Sequence, residues 1–357
     1  MAIRTGLGHR AGGIVRSLGV QHTQLGNSGL TVSRLALGTM TFGQYSFAGF
    51  HANVDQATAD RMVGLALDAG VNLFDTAEGY GQGQSEEVLG TALRRANGRD
   101  RALIATKVST YASGAHEEDP DRLRLSYRHV VGNAEAALRR LGTDWIDLYQ
   151  LHATDFVTPW DETLRALDDL VSRGLVRYVG WSNHPAWYAA RGQGIQERHG
   201  YAPFISGQIY YSVIGREAEH EILPYCRAAG LGTLIWSPLA GGFLSGKYTR
   251  RDPAGEGGRR AAFSVPPVDL GRGYDAVETM REIADRHGVP VAHVAYAWLL
   301  AKPEVSSVIV GASRPEQLAD NVAAAELALT EDELAALDAL DPPAPLYPHP
   351  QWLTGGE

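Results

Sequence analysis

Three side chains with acid–base chemistry follow short apolar runs in this chain of 357 residues, and a fourth stands close behind the first of them. Asp75 ends the run Val71 to Phe74, and Tyr80 comes five residues later. Lys107 follows Ala102 to Thr106, and His152 follows Ile146 to Leu151. A carboxylate, a phenol, an ammonium and an imidazole are the parts needed to hand a proton to an oxygen that is gaining negative charge. A free phenol has a pKa of about 10 and is a reluctant acid–base group near neutrality. A neighbouring cation favours the phenolate, and Lys107 is the candidate for that part. Each residue also has a plainer reading. Asp75 and Lys107 could be a structural ion pair, Tyr80 a rim aromatic, and His152 a satisfied core histidine. Glu78 and Asp75 form a second carboxylate pair, but three residues apart on one loop they are badly placed to flank a glycosidic bond. His116, His129, His184, His199 and His220 lack metal-ligand spacing, so no metal is expected.

Elements that would position these groups recur along the chain as helix, glycine, then a short apolar run ending at a polar residue. Arg61 to Ala69 with Gly70 leads to Asp75, and Ala134 to Arg140 with Gly142 leads to His152. Glu162 to Ser172 with Gly174 leads to Leu175–Gly180, then Ser182 and Asn183; Ile222 to Ala229 with Gly230 leads to Leu231–Ile235, then Trp236 and Ser237. Glycine after a helix supplies the left-handed cap without steric cost. With Leu35–Leu37, Ala102–Thr106, Phe204–Ser206 and Ser307–Val310, the runs make eight short, mostly non-alternating strands, as expected of strands buried on both faces. Eight strands alternating with helices predict an α/β fold, a closed TIM (β/α)8 barrel, with an N-terminal β-hairpin cap from Gln24 to Leu35. An open doubly wound sheet is the competitor, but Gly38-Thr39-Met40 after the first strand lacks the G-x-G-x-x-G pattern. In such a barrel the C-terminal strand ends build the active site. Those ends deliver Gly38, Asp75, Lys107, His152, Ser182, Asn183, Gln208, Trp236, Ser237 and Gly311.

Bulk properties narrow the function classes. A formal charge of -9 argues against nucleic acid. No apolar run approaches the roughly 20 residues of a membrane span, so no membrane association is expected. A single cysteine, Cys226, excludes an intrachain disulfide and fits a reducing, cytoplasmic compartment. Residues 1–20 are read as an N-terminal extension, 21–345 as a single domain and 346–357 as a C-terminal tail. No heptad seam is legible, and a homo-oligomer stays open.

Asn72-Leu-Phe-Asp75-Thr-Ala-Glu-Gly-Tyr80 resembles the signature of the aldo-keto reductase family. Leu103-Ile-Ala-Thr-Lys107, Asp147-Leu-Tyr-Gln-Leu-His152, Gly180-Trp-Ser-Asn183, Gln208, Trp236-Ser-Pro-Leu239 and Gly311-Ala-Ser-Arg-Pro-Glu-Gln-Leu-Ala-Asp-Asn321 are similar to its further motifs, in order. The resemblance runs from about Leu25 to about Leu340. It implies reduction of an aldehyde or ketone, a small-molecule carbonyl substrate, with Tyr80 as general acid, Lys107 as its tuner, Asp75 as anchor and His152 as polarising partner. It also implies NADP(H) as cofactor. Ser182, Asn183 and Gln208 would hydrogen-bond the nicotinamide carboxamide, and Trp236 would stack on the ring.

Gly38, Thr39, Met40 and Asp75 are further expected cofactor contacts, and Ser237, Pro238, Leu239, Gly241 and Lys247 are expected around the pyrophosphate. Ser313 and Arg314 at the start of the last helix suit a 2′-phosphate, and Gln317 and Asn321 face the expected adenine. Thr249 to Tyr274, rich in Gly, Arg and Pro, reads as a flap over the cofactor, with Arg259 or Arg260 near the pyrophosphate. Gln44, Tyr45, Phe47, Phe50, Tyr80, His152, Trp181 and Tyr347 to Trp352 are expected to wall the substrate pocket. Trp236–Tyr248 and Gly311–Asn321 particularly resemble the potassium-channel β-subunit branch. The alternative is therefore a nucleotide-sensing regulatory subunit with little turnover. In that branch the position of His152 is usually not histidine, so its presence points towards turnover.

Overall fold

The computed structural model describes residues 19–109, 124–253, 260, 263–343 and 346–347. Residues 1–18 of the expected extension, His116, Arg259 and residues 348–357 of the expected tail lie outside the described residues. Strands β1 (His22–Gln24) and β2 (Thr31–Ser33) pair antiparallel and form the expected hairpin. The barrel strands are β3 (Leu35–Gly38), β6 (Leu73–Asp75), β7 (Leu103–Val108), β8 (Ile146–Leu151), β9 (Val176–Ser182), β10 (Phe204–Tyr210), β11 (Gly232–Trp236) and β12 (Ser307–Gly311). They close into one barrel in the order β10-β11-β12-β3-β6-β7-β8-β9, with every pairing parallel. The TIM barrel expected from the sequence is the architecture observed.

Outside it lie helices α1 (Gln56–Asp68), α2 (Gln84–Arg95), α3 (Tyr127–Leu141), α4 (Trp160–Ser172), α5 (Ala186–His199) and α6 (Ile222–Ala228). The remaining helices are α7 (Leu270–His287), α8 (Val291–Ala301), α9 (Pro315–Ala323) and α10 (Glu331–Asp338). The helix–glycine junctions behave as expected, and Gly142 caps α3 with φ 64 while its N–H donates to the Leu138 carbonyl.

A second hairpin, absent from the sequence reading, stands at the barrel mouth. Strands β4 (Gly43–Phe47) and β5 (Phe50–Val54) pair antiparallel around Ala48 and Gly49, both at positive φ. The stretch holding Gln44, Tyr45, Phe47 and Phe50 is thus regular structure rather than open loop.

Two hydrophobic regions hold the architecture. One lies between barrel and helices; the other fills the barrel with Ala36, Leu73, Ala105, Leu148, Leu234 and Ile309. Leu25, Leu30 and Val32 of the first hairpin plug its lower end. Each buried aliphatic side chain of this kind contributes about 1.5–3 kcal/mol. The plug fits tightly: a Cβ on Gly26 would come within 2.4 Å of the Gly232 nitrogen.

Side chains alternate along a strand, so a residue two positions on points the same way. From Leu73, Ala105, Leu148 and Leu234 that step leads to Asp75, Lys107, Gln150 and Trp236. The apolar filling therefore gives way, one layer up, to a polar floor.

Candidate active site

Lys107 is fully buried, and its ammonium donates to Asp75 Oδ1 at 2.6 Å and to the Thr76 carbonyl at 2.8 Å. The other carboxylate oxygen accepts from Gln208 Nε2 at 2.8 Å and from Gln150 Nε2 at 3.5 Å. Loss of water around the ammonium lowers the Lys107 pKa from its usual value, and the charge of Asp75 works against that fall. On the outer side of the same strand, β7, Glu86 of α2 accepts from Thr106 Oγ1 at 2.6 Å and from Arg140 Nε at 2.6 Å. Burial raises its pKa, offset in part by Arg140. Glu86 was not singled out from the sequence. Its signal was a charge on the buried face of α2, beside Leu89 and Leu93.

The phenol and imidazole complete the cluster. Lys107 Nζ lies 5.1 Å from the Tyr80 ring centre. Tyr80 and His152 meet edge to face, with ring centres 5.9 Å apart and planes at 81°. His152 is held through its backbone N–H, which donates to the Val108 carbonyl at 3.0 Å. Its Nδ1 lies 2.8 Å from Ser109 Oγ, a partner the sequence reading did not name. Burial, with the nearby charge of Lys107, holds the imidazole well below the usual histidine range, so it is neutral at physiological pH. The Glu78 carboxylate turns to the Ser109 N–H at 3.4 Å and lies 3.9 Å from His129 Nε2.

The adjoining rim carries the expected nucleotide-binding residues. Asn183 sits at positive φ, donates from Nδ2 to the His152 carbonyl and accepts from Trp236 Nε1 at 3.0 Å. Ser182 Oγ donates to the Gln208 carbonyl. After β11, Ser237 Oγ accepts from the Gly241 N–H at 2.8 Å, shaping a turn in which Gly241 and Gly242 both have positive φ. Pro238 and Leu239 lead into that turn, and Lys247 is exposed beyond it, 5.3 Å from the Tyr248 ring centre. Arg260 donates to the Ala240 carbonyl and lies against Gly241, while Phe263 packs on Phe50 of the second hairpin. At the last strand, Ser313 and Arg314 are exposed, and Gln317 Oε1 accepts from the Ser313 N–H.

Three expectations need correction. Trp181 does not face the mouth: it is fully buried in the outer layer, stacked on Tyr225 and near His184. Ser182 beside it points inward, so alternation turns Trp181 out. Asn321 is buried and spends its amide on the Gly311 carbonyl and the Tyr296 hydroxyl. Thr39 is likewise buried, its hydroxyl bonded to the Asp75 carbonyl and Ser85. Both brace the rim instead of presenting groups to it. Of the neighbouring residues, Tyr45 packs on Gly81 and donates to the Met40 carbonyl, and Gln44 is exposed. Tyr347 is exposed. A separate cleft of about 330 Å³, lined in part by Asn27, Arg34 and Glu304, lies at the barrel's lower end, away from these groups.

The sequence profile of the Aldo/keto reductase family matches residues 34–342. The chain belongs to the aldo/keto reductase family. This aldo/keto reductase is similar to an uncharacterized oxidoreductase, YrpG, of Bacillus subtilis: 36% identity over 90% of this chain and 96% of the relative. It is 34% identical to versiconal hemiacetal acetate reductase of Aspergillus parasiticus over 93% of this chain and 99% of that protein. A probable voltage-gated potassium channel subunit beta of Arabidopsis thaliana is 34% identical, over 86% and 92% of the two chains. The family and these relatives make the protein an oxidoreductase. Among the described residues, no helix is long and apolar enough to cross a membrane, and no cluster suited to a metal ion occurs.

One buried histidine beside the site has a measurable consequence. His184 is 1% exposed, its Nδ1 is 2.7 Å from the Ser182 carbonyl, and burial lowers its pKa from 6.5 to about 4. Below pH ~6.5 the unfolded chain takes up a proton there that the folded chain refuses, so stability falls as pH drops towards 4. Urea unfolding across that range should show His184→Gln losing about 3 kcal/mol less than wild type. Parallel stability curves would remove His184 from the acid response.

Proposed function

We propose that the protein reduces an aldehyde or ketone to an alcohol, with NADPH as cofactor and Tyr80 as proton donor. The observation that carries this is the buried Lys107–Asp75 pair, with the Lys107 ammonium 5.1 Å from the Tyr80 ring centre and His152 edge-on to that ring. NADPH, when bound, supplies the hydride. The Tyr80 hydroxyl gives its proton to the carbonyl oxygen as negative charge builds there. Lys107 stabilises the phenolate left behind, at a point where low dielectric strengthens the interaction. Asp75 anchors the ammonium and balances its charge. Neutral His152 hydrogen-bonds the same oxygen and orients the carbonyl.

The donor set around the rim fits the nucleotide. Exposed Asn183 offers an amide for a carboxamide, with buried Ser182 and Gln208 behind it bonded to the Gln208 carbonyl and to Asp75, and Trp236, steadied by Asn183, offers an aromatic face. The Ser237–Gly242 turn and exposed Lys247 suit a pyrophosphate, and exposed Ser313 and Arg314 suit a 2′-phosphate. Nicotinamide absorbance followed over a panel of aldehydes and ketones tests the activity, and dissociation constants for NADPH and NADH test the cofactor. Steady oxidation of NADPH with tighter binding than NADH is expected. A clear preference for NADH would overturn the cofactor assignment. Tight NADPH binding without turnover of any carbonyl would favour a nucleotide-sensing regulatory subunit, the reading suggested by likeness to a channel β subunit.

A further inference from the structure

We propose that Ser109 is a positioning residue whose hydroxyl donates to Nδ1 of His152 and so fixes the imidazole tautomer that carries its proton on Nε2. The proposal rests on the carbonyl-reducing reading for its consequence but not for its geometry. A neutral imidazole has one N–H, and the partner of one nitrogen decides which nitrogen bears it. Ser109 Oγ lies 2.8 Å from His152 Nδ1 and Ser109 is 2% exposed. Among the described residues this imidazole nitrogen is the one hydrogen-bond partner of that hydroxyl. If Nδ1 carried the proton, Ser109 Oγ would accept it, and the hydroxyl's own proton would be left buried with no acceptor among the described residues. That costs about 1–3 kcal/mol. With Ser109 donating, both atoms are satisfied and the ring proton goes to Nε2. A neutral histidine can hydrogen-bond a developing oxyanion through Nε2 only in this form.

The surroundings hold Ser109 in place. It follows β7 two residues after Lys107, so the same strand sets the ammonium and the hydroxyl. Its N–H donates to Glu78 Oε2 at 3.4 Å, and the His152 N–H donates to Val108 next to it. Gly79 keeps the space open: a Cβ there would come 2.8 Å from Ser109 Oγ.

Two-bond proton–nitrogen correlation spectra of the full-length, 15N-labelled protein read the tautomer directly, with the His152 signals identified by their loss in His152→Gln. Wild type at neutral pH should show a protonated Nε2 and a bare Nδ1. Ser109→Ala should shift towards the other tautomer and lose roughly five- to tenfold in kcat/KM, with NADPH affinity unchanged. Ser109→Thr, which keeps the hydroxyl, should restore the wild-type spectrum and most of the activity. A wild-type proton on Nδ1, or a spectrum unchanged in Ser109→Ala, overturns the proposal. The spectra need no substrate, so they stand even if no carbonyl is turned over; an altered tautomer with undiminished turnover would refute the role of Ser109 alone.

Discussion

Replacing Tyr80 by phenylalanine should lower kcat/KM by a factor of about 10² to 10⁴, the range that general acid–base groups contribute. The substitution removes one oxygen and keeps the ring that lies edge-on to His152 and 5.1 Å from the Lys107 ammonium. Packing should therefore survive, and NADPH affinity should stay within about twofold, since no cofactor contact is assigned to the phenol. Single-turnover kinetics with saturating nucleotide would separate the chemical step from binding. A variant retaining more than about a tenth of wild-type activity would mean that another group supplies the proton.

Lys107→Met should be more damaging still, because it affects folding as well as chemistry. The side chain is fully buried, and its loss leaves Asp75, 3% exposed, with the amides of Gln208 and Gln150 but no cation. Removing one partner of such a buried pair costs about 3–5 kcal/mol. Taking the second charge away as well, in Asp75→Asn/Lys107→Met, should recover much of that stability, because no uncompensated charge remains. Activity should stay abolished in both proteins, since neither has an ammonium beside the phenol. Urea midpoints for the two variants decide the matter. A single variant as stable as wild type would show that the pair contributes little to the fold.

A residue's place is legible in the sequence only as far as its physical signal is local. The barrel was legible because helix, glycine and apolar strand recur, and glycine caps such as Gly142 act locally. Asp75, Lys107 and His152 were legible because polar residues end buried runs. Trp181 was misread because a strand buried on both faces shows no alternation, so nothing in Val-Gly-Trp-Ser says which parity points inward. The β4–β5 hairpin was missed because its turn is Ala48-Gly49, without the Asn or Asp that usually marks a turn with positive φ. Ser109 and Glu86 escaped for a different reason: each acts through a partner distant in sequence, His152 for one and Arg140 for the other. Such pairings exist only once the barrel has closed.

The plug of Leu25, Leu30 and Val32 also constrains traffic. With the lower end filled, the described residues leave no route to Asp75, Lys107 and His152 from below, so a ligand reaching them comes from the rim. If a nucleotide and a carbonyl meet there as proposed, the deeper of the two would enter first and leave last, for reasons of plumbing rather than of affinity.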